Sequence, residues 1–167
     1  SNAWAMVKDT LAERDISLPD FIHFSYLSRH GHCTAAKLFD AVKKLAANSV
    51  QAKTYVTELV DDAAALEELY LGNNVKWDAE TNQMLKDLCQ VLNVKFAYPY
   101  LLAAHKKHGA TKAEFRKHVK ILMSFIFRYM KVLEGDVGAL AKGMSKAAGK
   151  IVGGAKVAEI SKLLLPM

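Results

Sequence analysis

The 167-residue sequence is poor in the residues that staple, break or pleat a chain. It has only two cysteines, Cys33 and Cys89, far apart and in no CxxC spacing. That excludes a disulfide framework and makes a reducing, cytoplasmic compartment the expectation. It has only three prolines, at 19, 99 and 166, and none interrupts a long helical pattern. Alternating apolar and polar runs of strand type are nearly absent, with Val94–Phe96 the one short candidate. No apolar run approaches the roughly 18–20 residues that span a bilayer. The most apolar stretch, Ile121 to Met130, is interrupted by Ser124 and Arg128.

What is present is hydrophobic residue at helical spacing. About half the chain, 51%, is apolar, enough for a core without disulfide or metal. Ser1-Asn2-Ala3 reads as a scar of tag removal, and Trp4 onwards as a piece of a longer protein. A first helix is expected over about Trp4–Arg14. Pro19 suits the entry of a second, which ends at Gly31. Thr34 is placed to cap a third, with Leu38, Val42 and Leu45 inward. Ser49 is placed to cap a long fourth helix reaching Leu71, with Tyr55, Leu59, Ala63, Leu66 and Tyr70 inward. Glu58, Asp61, Asp62, Glu67 and Glu68 then form its wet face. Asp78 caps a fifth helix through Leu92, and Pro99 opens a sixth that ends at Gly109. Thr111-Lys112-Ala113-Glu114 is a capping box for a seventh, reaching about Leu133, whose second half is expected to be buried on most sides. Gly135 closes it. The predicted class is all-α, a compact bundle of seven to nine helices. The core is expected over 4–135, and an Ala/Gly/Lys-rich segment over 136–167, with one or two small helices broken near Gly153-Gly154.

The charge is divided. Residues 1–100 carry 10 Lys/Arg against 13 Asp/Glu, a net −3, and residues 101–167 carry 13 against 4, a net +9. A basic half of this kind suits a polyanion or an acidic neighbouring domain, though many basic faces are simply solvated. Two groups stand out. Lys142, Lys146 and Lys150 recur every four residues, one stripe on a helix. Lys106, Lys107, Lys112, Arg116, Lys117 and Lys120 gather around the Gly109 turn. Both groups are read as contacts to DNA phosphates or to an adjoining domain. Such lysine-rich contacts would be independent of base sequence and sensitive to salt, and no helix carries the Arg/Asn/Gln set of a base reader.

Catalytic motifs are missing. Arg29-His30-Gly31-His32-Cys33 offers zinc donors, but a closed site needs four ligands and the second pair is absent, unless His23 and Cys89 were delivered by the fold. A helix end with its cap glycine and basic residues explains the same run. The carboxylates at 61, 62, 67 and 68 lie on one helix without partnering histidines. No Ser or Cys sits in a nucleophile elbow. Gly153-Gly154 follows no strand and lacks the Gly-Lys-Ser/Thr ending of a phosphate loop. No catalytic, cofactor or metal residue is therefore assigned.

One segment carries a resemblance. Asn93–Leu102, Asn-Val-Lys-Phe-Ala-Tyr-Pro-Tyr-Leu-Leu, resembles the "Ala-Tyr-Pro-Leu-Leu-Leu" stretch in the helical portion of GmrS-type proteins, the first half of the GmrSD modification-dependent restriction systems. Leu27-Ser28-Arg29-His30-Gly31 and Lys37-Leu38-Phe39 are similar to that family's upstream block. Thr57 to Tyr70 is similar to its "Glu-Leu…Ala…Tyr" helix. Phe125-Ile126-Phe127-Arg128-Tyr129 is similar to its "Ser-Phe-Leu-Phe-Arg-Arg" helix, with Tyr129 in place of the second Arg. The blocks fall in order over residues 20–133, and the tail from Asp136 matches poorly. The family carries a ParB-like nucleotide-hydrolysing domain with an Asp-Gly-Gln-Gln-Arg motif ahead of this region, and many members carry or pair with a nuclease marked by His, an acidic residue and Pro. Neither motif occurs here. The resemblance thus implies a non-catalytic helical scaffold between an NTPase domain and a nuclease domain, in a bacterial anti-phage protein that is itself a nucleotide-dependent DNA endonuclease. A helical module that touches the DNA backbone directly is the alternative. A membrane partner is not expected.

Overall fold

The computed structural model describes residues 2–132 and 137–165. Among them the chain is all-α, with nine helices and no strand. The helices are α1 (Asn2–Glu13), α2 (Leu18–His30), α3 (Ala35–Leu45), α4 (Ser49–Leu71), α5 (Ala79–Lys86), α6 (Tyr98–His108), α7 (Lys112–Val132), α8 (Val137–Val152) and α9 (Val157–Leu164). None is long and apolar enough to cross a membrane. The expected ends at Leu133 and Gly135 lie outside the described residues.

Local chemistry sets most boundaries. Ser17 caps α2, its Oγ accepting from the Asp20 N–H at 3.2 Å, with Pro19 in the first turn. Asp78 caps α5 by accepting from the Thr81 N–H at 2.8 Å. The cap of α4 is Asn48, not Ser49: its Oδ1 accepts from the N–H groups of Val50 and Gln51, at 3.1 and 2.9 Å. Asn is at least as good an N-cap as Ser, and here it stands one residue nearer the preceding turn. Thr34 occupies the cap position of α3 without a side-chain cap bond. Gly72 ends α4 in the left-handed region, and a Cβ there would lie 2.5 Å from the Asn82 carbonyl oxygen.

Beyond α5 the expected single helix changes pitch. Asp87–Val91 forms a π turn, closed by the Leu92 N–H donating to the Asp87 carbonyl at 2.8 Å. The strand candidate at Val94–Phe96 is instead the approach to a 3-10 turn, Lys95–Ala97, that leads into α6.

Helix α6 is the axis of the core. Its first seven residues, Tyr98 to Ala104, are all buried. It packs most extensively on α8, and α8 also packs on α2. Small residues permit this. Ala147 and Ala148 are fully buried, and Gly31 and Gly149 meet so closely that a Cβ on Gly149 would lie 3.4 Å from the Gly31 Cα. Gly31 has φ +82°, a value L side chains rarely adopt. The Ala/Gly-rich segment is thus part of the one hydrophobic cluster, to which it gives Leu140, Met144, Ile151 and Ile160. Helix α7 is buried on one side only. Phe115, Val119, Leu122 and Ile126 face the core, while Phe127 is 49% exposed. The interior place expected for α7 is taken by α6, which the small residues on the buried side of α8 let approach closely.

Candidate functional site

A charged knot joins α2, α4 and α6 where they meet. Asp62, expected on the wet face of α4, has no solvent exposure. The reason is its register: Tyr55, Leu59, Asp62, Leu66 and Leu69 repeat at the three- and four-residue steps of one helix face. Both carboxylate oxygens are fully used. Ser25 Oγ donates at 2.6 Å. Arg29 donates through Nε at 3.1 Å and Nη2 at 2.8 Å. Lys106 Nζ lies 2.9 Å from Oδ1 and 3.0 Å from Oδ2. Lys106 also donates to Ser28 Oγ, and Ser28 in turn donates to the Ser25 carbonyl at 2.8 Å. Desolvation of the Lys106 amine lowers its pKa to about 8, against the opposing pull of Asp62. A carboxylate with every acceptor filled is a structural clamp, because it has no lone pair left for a substrate proton.

The other acidic residues of α4 divide. Glu67 accepts from Arg14 at 2.8 Å, and the Arg14 guanidinium stacks over Tyr70, 4.3 Å from the ring centroid. Glu68 accepts from Asn74 at 2.8 Å and lies 3.2 Å from His105 Nε2. Asp61 is exposed.

The zinc-like run is held apart by separate bonds. His23 Nε2 donates to the Cys33 carbonyl at 2.7 Å. His32 Nδ1 is 3.2 Å from Ser145 Oγ, and the His30 ring lies against Tyr26. Cys89 is buried, and burial pushes its thiol up to about 12. Among the described residues no three His, Cys, Asp or Glu side chains gather as metal ligands.

The expected interface cations fall into three situations. Lys106 lies in the knot. Arg116 pairs with Asp78 at 3.5 Å and with Glu80, Lys120 pairs with Glu80 at 2.9 Å, and Lys117 pairs with Glu114 at 2.6 Å. Lys107, Lys112, Lys142, Lys146 and Lys150 are exposed and make no ion pair among the described residues. Three of these, Lys142, Lys146 and Lys150, stand four residues apart on α8.

Two features escaped sequence reasoning. The first is a buried pair: Tyr100 OH lies 2.9 Å from His118 Nδ1, both side chains without exposure. His118 Nε2 is buried without a partner, and desolvation, aided by nearby His108, lowers its pKa to about 4. Its place between Phe115, Val119 and Leu122 on one helical face was the available signal. The second is α3. None of its residues is buried, Phe39 is 74% exposed, and in the adjoining first turns of α4 Val50 is 71% and Val56 47% exposed. On α3 itself Val42 and Leu45 are half-buried against the core. Comparison with family models, curated proteins and solved structures finds no match for this chain.

Proposed function

We propose that this chain is a non-catalytic helical scaffold of a GmrS-type restriction protein, holding a ParB-like NTPase domain and a nuclease domain in relation to each other during defence against phage DNA. The observation that carries a scaffold role is the α3 arm, an amphipathic helix with no fully buried residue: Val42 and Leu45 are only half-covered by the core, and Phe39 is left exposed. A rigid core on α6 and α8 would keep that arm at a fixed distance from the cationic α8 stripe. The family assignment rests on the ordered sequence blocks, which fall on α2, α3, α4, the turn into α6 with α6 itself, and α7. The coding sequence on either side tests it. An Asp-Gly-Gln-Gln-Arg motif ahead and a His-containing nuclease motif behind are expected, and their joint absence would defeat the assignment. The scaffold role is tested by expressing this chain in trans with those domains. Association is expected, and its loss in Phe39→Ser would place the contact on the arm.

A second reading is direct contact with the DNA backbone, favoured by Lys142, Lys146 and Lys150 standing unpaired on one helix. Gel shifts at two salt concentrations separate the readings. Phosphate contacts predict binding that weakens steeply with salt. No shift at low salt would sink this reading and leave the scaffold intact.

A further inference from the structure

The groove between α7, α8 and α9 differs in chemistry from the other clefts. It encloses about 530 Å³. Phe125 and Tyr129 of α7 and Leu163 and Leu164 of α9 form apolar walls. On the α8 side the wall is Ala139 and Gly143, one turn apart. Their small size leaves the space open: a Cβ on Gly143 would come no nearer than 3.9 Å to the Phe125 ring.

The rim is cationic. Arg128, Lys142 and Lys146 border the groove, all three are exposed, and no carboxylate of the described residues lines it. None of the three has an ion pair among the described residues. The cleft beside the charged knot is the contrast, because Asp61, Asp62 and Glu68 there face Arg29, Lys76 and Lys106 and the signs cancel.

Small-molecule sites of this size are mostly apolar with a few placed polar groups that fix orientation. Apolar walls with cations only at the mouth select a ligand with an extended apolar body and a single anionic end. The cations stay hydrated at the rim, so pairing with the anion costs them little desolvation. From this geometry we infer that the groove binds a single-chain amphiphilic carboxylate of the fatty-acid class. The tail lies along Phe125, Leu163 and Leu164, and the carboxylate meets Lys142, Lys146 and Arg128. This site is independent of the scaffold reading, since it uses neither the α3 arm nor a neighbouring domain.

Sodium dodecanoate titrated calorimetrically into the delipidated full chain is expected to bind saturably and one to one. Gly143→Leu fills the groove with a residue that favours helix, and should abolish binding while the thermal melt holds or rises. Leu163→Glu, at a side chain already 42% exposed, sets a carboxylate at the mouth and should also abolish it. The double variant Lys142→Gln/Lys146→Gln should bind roughly tenfold more weakly, the scale of losing two rim-exposed charge contacts. Dodecan-1-ol, with the same tail and no charge, should lose a similar factor. Absence of saturable dodecanoate binding overturns the inference. So does undiminished binding in Gly143→Leu, or binding confined to vesicles of anionic phospholipid, which would assign the cations to a membrane surface instead.

Discussion

Helices α3 and α6 have equal length and opposite fates. Each has 11 residues. The apolar side of α3 is the more sharply segregated, yet none of its residues is buried. Helix α6 is less clearly two-sided, and its first seven residues are all buried. Amphipathicity therefore states that a helix has an apolar side and leaves open whether the same chain covers it. What decides is the neighbour. Around α6, small residues on α8 and the Gly31–Gly149 approach let three helices close together. Around α3, the main contacts are few and come from α2 and α4.

The contrast predicts a graded set of responses. The largest belongs to Asp62, which joins α4 to α2 and α6. Asp62→Ala strands Arg29 and Lys106 beside each other, and should cost about 3–5 kcal/mol in denaturant unfolding, the scale for breaking a buried ion pair. A loss near zero would mean that the knot does not hold these helices. Next is Gly31→Ala. Its φ of +82° lies where an alanine is strained, so a loss of about 1–3 kcal/mol is expected, with a lowered melting temperature as the readout.

The third response is to pH. His118 titrates near its ordinary 6.5 when unfolded and at about 4 when folded. Between those values the unfolded state holds the extra proton, so stability rises with pH across that window. The contribution is whole above about 6.5 and is lost as pH falls towards about 4. Unfolding midpoints at pH 7 and pH 5 should therefore differ, and His118→Gln should flatten the difference. Smallest in stability is Phe39→Ser on α3, expected within about 0.5 kcal/mol of the parent because the side chain is already in water. A substantial destabilisation there would show that α3 belongs to the core after all.

Much of the architecture was legible in the residues. The turns at Gly31, Gly72 and Gly109, the cap at Asp78 and the break at Gly153-Gly154 are local signals, and local signals survive folding. Depth was less legible. Asp62 sits between alanine and aspartate in the sequence, and its chemistry argued for water while its register argued for the core. Register prevailed because Ser25, Arg29 and Lys106, 37, 33 and 44 residues away, supply every bond the carboxylate needs. The same distance hid the groove, whose walls come from α7 and α9 and whose opening depends on a glycine of α8. The unpaired lysines of α8 were visible from their spacing, whereas the pairing of Arg116 and Lys120 with Glu80, 36 and 40 positions back, was not.

The meeting of Gly31 with Gly149 sets a schedule for synthesis. These residues lie 118 positions apart, yet their close approach positions α2 against α8. While the chain emerges from the ribosome, α2 and α6 are finished long before their shared neighbour exists. Until α8 arrives, the nascent chain must hold the buried face of α6 without its largest packing partner. Chaperone dependence and proteolytic sensitivity should be concentrated in that interval, and slowing translation between codons 109 and 137 should lengthen it.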